Sequence, residues 1–182
     1  MLALFLAFIA IPGVALANDP LWALLTTGGQ VVLIRHTITT PGVGDPPGMR
    51  LDDCKTQRNL TDEGIAHARR IGEEFRKRGI AAERVLASPW CRCIETAKLA
   101  FGKAQISLPL GNLFGRPENR EKQVAGMQKL VGAWRGKGNL VLVSHGSTIS
   151  ALTGTGTGTG EMVVVTPKGA GKFEVAGRLS VP

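Results

Sequence analysis

Two histidines in this chain sit where chemistry could be done. His36 follows Val31-Val32-Leu33-Ile34-Arg35, and His145 follows Leu140-Val141-Leu142-Val143-Ser144. Each ends an apolar run of the kind that forms a strand buried on both faces. An imidazole in such a place can serve as nucleophile, base or metal ligand. Beside His36 stands Arg35, whose planar fork of donors suits phosphate oxygens. A second arginine, Arg92, comes shortly after a third strand-like stretch, residues 84–88, that Pro89 stops. Open α/β sheets bind ligands outside the carboxyl ends of their strands. If these three stretches are parallel, two histidines and two arginines meet at one edge. With no acidic counterweight the four groups repel one another until an anion joins them. A helix starting at Arg92 would add N–H donors and a positive end. The pattern predicts an anion pocket with His36 at its centre.

The rest of the chain reads as the frame for that pocket. Residues 20–29 predict a short helix closed by Gly28-Gly29. Residues 38–57 hold three prolines and three glycines, which predicts a long loop walling the site. Thr61-Asp62-Glu63 is a helix start, with a cap and two acids at the positive end. Ile65, Ala68, Ile71, Gly72 and Phe75 mark the buried face of that helix, and Gly79 ends it. A second helix is expected over 91–101 and a third over 118–135. Residues 106–114 read as an edge strand, because Pro109 cannot donate to a ladder. Residues 147–152 can open a further helix. A Gly-Thr run over 154–160 predicts a flexible loop. Residues 161–165 and 172–175 look like a closing pair of strands. Strands alternating with helices predict a three-layer α/β sandwich with a mainly parallel central sheet and an antiparallel edge.

Length and composition narrow the class. The 182 residues suffice for one domain with a good core. Residues 1–17 are apolar and uncharged and end Ala15-Leu16-Ala17, a small-x-small site. They predict a secretory signal peptide cleaved after Ala17, leaving a single domain over 18–182 and no membrane span. No Lys or Arg precedes the run, so a late start or an uncleaved anchor is the other reading. The net charge of +8 suits nucleic acid, anionic lipid or a phosphorylated substrate. Basic residues alternate with acids on helix faces, as in Arg69, Arg70, Glu73, Glu74, Arg76 and Lys77, so no nucleic-acid tract is expected. Export would let the three cysteines form one disulfide, Cys54 with Cys91 or Cys93. Cys91-x-Cys93 is too short, and too far from a paired histidine, for a zinc site. His67, beside Arg69 and Arg70, reads as a surface residue. The three tryptophans read as packing, with Trp90 placed to line a pocket. Ser88 and Ser144 lack the Gly-x-Ser-x-Gly elbow of a triad serine.

Four segments in order resemble a known family. They are Arg35-His36-Thr37, Arg58-Asn59-Leu60-Thr61-Asp62-Glu63-Gly64, Ser88-Pro89-x-x-Arg92-x-x-x-Thr96-Ala97 and Val143-Ser144-His145-Gly146. Together they resemble the histidine phosphatase superfamily, the phosphoglycerate mutase-like fold, over about residues 31–150. Thr37 departs from the glycine usual after the catalytic histidine. The resemblance implies a phosphomonoester hydrolase of the histidine acid phosphatase type. His36 would become a phosphohistidine, while Arg35, Arg92 and His145 hold the phosphoryl oxygens and Thr39 or Arg58 adds a contact. No metal or other cofactor is implied. A glutamate after the third strand is expected as proton donor, which points to Glu118, with Asp45 and Glu121 as rivals. Glu118 is also a natural acid for a helix start. A short exported form resembles the branch that dephosphorylates heptose phosphate in the lipopolysaccharide core, so the expected partner is a small phosphorylated compound. A phosphohistidine protein phosphatase and a non-catalytic phosphate-binding module are the alternatives.

Overall fold

The computed structural model describes residues 19–182, so the predicted signal peptide lies outside the described residues. The first elements are helix α1 (Asp19–Thr27), strand β1 (Val31–Arg35), helix α2 (Asp62–Lys77), strand β2 (Ala82–Ala87) and helix α3 (Cys91–Phe101). Then come β3 (Gln105–Ile106), α4 (Arg120–Gly132), β4 (Asn139–Ser144), α5 (Gly146–Thr153), β5 (Met162–Gly169) and β6 (Lys172–Leu179). The strands form one sheet in the order β3-β2-β4-β1-β5-β6. The first four are parallel, and β5 and β6 continue the sheet antiparallel. This is the expected α/β sandwich with an antiparallel edge.

The unbroken apolar runs have a simple cause. Successive side chains of a strand point to opposite faces, and here both faces are covered. Val32, Ile34, Val141, Val143 and Val164 pack with Trp22, Leu25, Ile71, Phe75 and Ala97 of α1, α2 and α3. Val31, Leu33, Leu140, Leu142 and Val163 pack with Met127, Val131, Ile149 and Leu152 of α4 and α5. Alignment of the strands then fixes the edge. Arg35 pairs with Ser144 and Ala87 with Val143, so His36, His145 and Ser88 each stand one residue beyond the ladder on one side. Two more backbone bonds hold them there: His36 N–H to the Ser144 carbonyl at 3.0 Å, and Ser88 N–H to the Val143 carbonyl at 2.9 Å.

Helix α2 clamps the segment just beyond His36. The Thr61 hydroxyl caps it by accepting from the Gly64 N–H at 3.1 Å. A Cβ on Gly64 would lie 2.0 Å from the Ile38 carbonyl oxygen, so only glycine lets this turn press on the loop. The loop itself is tied at several points. Thr39 bridges Leu60, Arg50 bridges Asp53, and Gln57 donates to the Arg50 and Leu51 carbonyls. Cys54 is bonded to Cys91 with Cα atoms 5.7 Å apart, which decides between the two pairings and leaves Cys93 as a buried thiol.

Three expectations are corrected. Residues 106–114 are not a strand: β3 stops at Ile106, and Leu108–Leu110 form a 3₁₀ turn with Pro109 in its first turn, where no N–H is needed. A separate 3₁₀ turn, Pro117–Asn119, precedes α4, which runs from Arg120 rather than Glu118. His67 is buried, not on the surface: it falls on the same face of α2 as Gly64, Ala68 and Ile71 and bonds the Val181 carbonyl through Nε2 at 2.9 Å. Among the described residues no helix is long and apolar enough to cross a membrane.

The Cys54–Cys91 bond closes a loop of sequence separation 37. Constraining that much unfolded chain stabilises by about 2–4 kcal/mol. A reductant is therefore expected to lower the urea midpoint of the wild type and to leave that of Cys54→Ser unmoved; equilibrium unfolding checks it.

Candidate active site

His36 is buried at the base of a cleft of about 390 Å³ at the sheet edge. Its Nδ1 lies 2.9 Å from the Thr37 carbonyl oxygen. A carbonyl can only accept, so Nδ1 carries the proton and Nε2 keeps its lone pair. Burial, joined by the charges of Arg92, Arg35 and Arg58, lowers the imidazole pKa to about 3 against a favourable bond to Thr37. His36 is thus neutral and oriented near neutral pH, with an Nε2 lone pair of the kind a nucleophile needs.

Three arginines surround it. Arg35 donates through Nη1 to the Thr157 carbonyl at 2.7 Å. Arg58 donates to the Gly42 carbonyl. Arg92, its side chain 1 % exposed, makes a two-pronged bond to Asp45: Nη1 to Oδ1 at 2.5 Å and Nη2 to Oδ2 at 3.1 Å. The Nε donors of all three arginines are buried without a partner among the described residues. Buried donors normally have partners, and three such groups around one cleft suit an oxyanion. Burial lowers the pKa of Arg35, and burial with the charge of Arg92 lowers that of Arg58. Asp45 also accepts from the Trp90 indole at 3.0 Å and the Arg58 N–H at 3.2 Å. Burial pushes its carboxyl up, but the bonds and charge of Arg92 outweigh this and hold it below the usual carboxylate value. Asp45 is therefore an ionised brace for Arg92.

The far wall is His145 and the start of α5. The two imidazole rings stand 5.4 Å apart, close enough to face one shared anion. His145 Nε2 is 2.8 Å from the Ser88 hydroxyl and 3.5 Å from the Cys93 sulfur. Burial, with His36 and the arginines, keeps His145 neutral. Burial likewise pushes the Cys93 thiol up to about 12, so it is inert. Gly146 and Ser147 bring the positive end of α5 to the cleft. A Cβ on Gly146 would crowd the Arg35 guanidinium at 3.3 Å. By contrast, the first N–H of α3 serves the loop, since Cys91 donates to the Gln57 side chain at 3.0 Å.

Of the residues read from sequence, Arg35, His36, Arg58, Arg92 and His145 line the cleft together. Thr39 does not line it; its backbone pairs with Leu60 instead. Glu118 is exposed and bonds Asn119, and neither it nor Glu121 lines the cleft. Trp90 does not line it either: it lies behind, holding Asp45 and packing edge-on against His145. The structure adds Asn112, which no sequence pattern marks. Its side-chain oxygen accepts from Phe114 N–H and the Ser147 hydroxyl, which leaves its amide donors for a ligand. The Gly-Thr run is another wall of the site. Thr157 holds Arg35, and Gly160 donates to the carbonyls of Arg35 and His36. A Cβ on Gly160 would strike the His67 ring at 2.3 Å, and its φ of +73° suits glycine. Among the described residues no cluster of three metal-type ligands occurs.

Because the unfolded chain protonates His36 near pH 6.5 and the folded one near 3, stability rises with pH across that window and is lost on acidification through it. The loss attributable to one imidazole approaches ~1.4 kcal/mol per pH unit. The drop in unfolding free energy from pH 7 to pH 4.5 should be smaller in His36→Gln; denaturant curves at the two pH values measure it. Asp45→Asn leaves Arg92 buried without its counterion, a loss of about 3–5 kcal/mol. Inorganic phosphate should restore more of the thermal midpoint to that variant than it adds to the wild type.

The model of the histidine phosphatase superfamily (branch 1) matches residues 31–111. No curated protein matches the chain. Solved structures share the fold at low identity. The protein histidine phosphatase SixA complexed with tungstate is 19% identical with a TM-score of 0.60, over 83% of this chain and 96% of that one. A mycobacterial glucosyl-3-phosphoglycerate phosphatase is 18% identical with a TM-score of 0.60, over 84% and 99%. A phosphoserine phosphatase from Entamoeba histolytica, bound to 3-phosphoglyceric acid, is 15% identical with a TM-score of 0.62, over 84% and 97%. Residues 31–111, which carry Arg35, His36, Arg58 and Arg92, thus match the histidine phosphatase superfamily in sequence, and the chain around them has the phosphoglycerate mutase-like α/β fold.

Proposed function

We propose that the chain is a phosphomonoesterase that works through a phosphohistidine on His36. One observation carries the reading: a neutral imidazole, with Nδ1 tied to the Thr37 carbonyl, offers Nε2 to a cleft ringed by Arg35, Arg58 and Arg92. The substrate phosphoryl group sits among the guanidinium groups, His145, Asn112 and the start of α5. Nε2 attacks phosphorus in line and the bond to the leaving oxygen breaks, its electron pair going to that oxygen. The ring becomes a phosphoimidazolium whose Nδ1–H donates to the Thr37 carbonyl. Charge that builds on the equatorial oxygens meets donors already in place, which is the main lever in phosphoryl transfer. Water then attacks phosphorus, the N–P bond returns its pair to Nε2, and both water protons leave on dihydrogen phosphate. The family match over the residues that supply the nucleophile and all three arginines supports this reading.

The substrate is a small phosphorylated compound, exported or of the cell envelope, reached by export through the apolar segment 1–17. The Cys54–Cys91 bond supports export, since disulfides persist in oxidising compartments. The likeness in fold to a protein histidine phosphatase favours a second reading, in which the phosphoryl donor is a phosphohistidine on another protein.

The test is turnover of p-nitrophenyl phosphate in chelator-treated buffer. Wild type is expected to turn over, and His36→Ala to lose ~10³-fold or more. Retained turnover in His36→Ala would remove the nucleophile. A wild type that binds vanadate and never turns over would be a phosphate-binding module instead.

A further inference from the structure

The cleft is unusual in what it lacks. Among the described residues its lining holds arginines, histidines, glycines, Asn112, Ser147, Thr157 and the apolar Val43 and Phe114, but no carboxylate. Thirteen acids, Asp45 and those after it, have described side chains. Among the described residues Asp45 alone reaches a cleft arginine, and both its oxygens are taken by Arg92, the Trp90 indole and the Arg58 N–H. Glu161 is held by Arg178 and the Gly158 N–H. Glu118 faces Asn119 in the open. Among the described residues the cleft therefore presents many donors of hydrogen bonds but no acid free to surrender a proton. Arginine does not give its proton up. Burial and the neighbouring arginines disfavour the protonated form of both histidines.

The mouth of the cleft tells what the leaving group meets instead. Val43 and Phe114 line it and are 86% and 55% exposed. Phe114 packs against Gly44, where even a Cβ would sit 3.7 Å from its ring. Exposed apolar residues at a ligand mouth mark a surface for an apolar or flat group. The half of the substrate beyond phosphorus would thus lie on Val43, Gly44 and Phe114.

Resting on the phosphohistidine reading, we infer that this site is built for phosphoryl donors whose leaving group departs as a stable anion: aryl, acyl or anhydride oxygens rather than the alkoxide of a simple sugar or glycerol phosphate. The cleaved P–O bond leaves its electron pair on an oxygen that needs no enzyme proton, and the anion is protonated by solvent only as its basicity requires. Val43 and Phe114 set which such groups are held.

The experiment is rapid-quench formation of the His36 phosphoenzyme from substituted phenyl phosphates and from glycerol phosphate. A general acid supplies about 10²–10⁴ in rate to the substrates that need one. Without it, phosphorylation should fall steeply as the leaving group becomes more basic. Glycerol phosphate should then trail p-nitrophenyl phosphate by on the order of 10³-fold or more. A shallow dependence, with the two within about tenfold, overturns the inference. So does a shallow dependence that turns steep in Glu118→Gln, which would give the proton to Glu118. Phosphorylation that is steep but appears on a residue other than His36 overturns the nucleophile assignment, and absence of any phosphoenzyme from any donor removes the phosphohistidine reading and this inference with it. Phe114→Ser should raise KM for phenyl phosphates several-fold and leave the inorganic phosphate inhibition constant unchanged; an equal rise in both would overturn the apolar rim.

Discussion

Everything at the sheet edge depends on a charge imbalance that one carboxylate corrects only in part. Arg35, Arg58 and Arg92 converge with His36 and His145, and Asp45 is the single carboxylate within ion-pair distance of any of these arginines among the described residues. Its side chain is 9% exposed, so the pair with Arg92 is a buried one. Such a pair barely repays its desolvation, and its worth is in fixing geometry. Here it aims Arg92, and it leaves the other two cations uncompensated. The unfilled attraction makes the cleft a site for an anion, and it joins burial, the larger cause, in keeping His36 neutral. The arginines that attract an anion thus also add to the effect of burial on His36.

The imbalance is tolerable only because the surroundings are rigid. Repelling groups would move apart if mounted on mobile loops. Instead His36, Ser88 and His145 each stand one residue past a buried strand end, and backbone bonds continue the ladder at His36 and Ser88. Asp45 and Arg58 come from the long irregular segment between β1 and α2. That segment is fixed by a disulfide one residue before Arg92, by Gln57 and by its contact with Gly64. The loop that carries the counterion is therefore anchored beside the residue the counterion must hold. Arg35 is held in the same way from the other side, by Thr157 and Gly160 of the Gly-Thr run.

The edge is legible in the sequence because its strands are nearly all apolar, and strands buried on both faces announce themselves by that run. Arg35, His36, Arg92 and His145 emerge directly from where those runs stop. Residues that come to the site through tertiary packing carry no comparable mark. Asn112 comes after a 3₁₀ turn that reads as a strand, because Leu108-Pro109-Leu110 is apolar and proline suits an edge. Thr157 and Gly160 lie in a low-complexity run whose composition suggests only flexibility. His67 is masked by its neighbours Arg69 and Arg70, although its spacing from Gly64 and Ile71 places it on the buried face of α2. Proline and glycine give the loop around Asp45 no period from which a direction could be read.

The same constraint decides what Asp45 can do in the reaction. A general acid must be protonated before the leaving group departs, and its pKa must lie near the working pH. Burial alone would raise a carboxyl toward that range. The Asp45 side chain is largely covered, but each oxygen meets a guanidinium nitrogen, and an indole and a backbone N–H add to the count. These bonds favour the anion more than burial disfavours it, so its pKa falls. The carboxylate cannot both brace Arg92 and carry a proton to the substrate. In the proposed reaction the acid nearest the cleft therefore braces Arg92, and the leaving group departs without a proton from it.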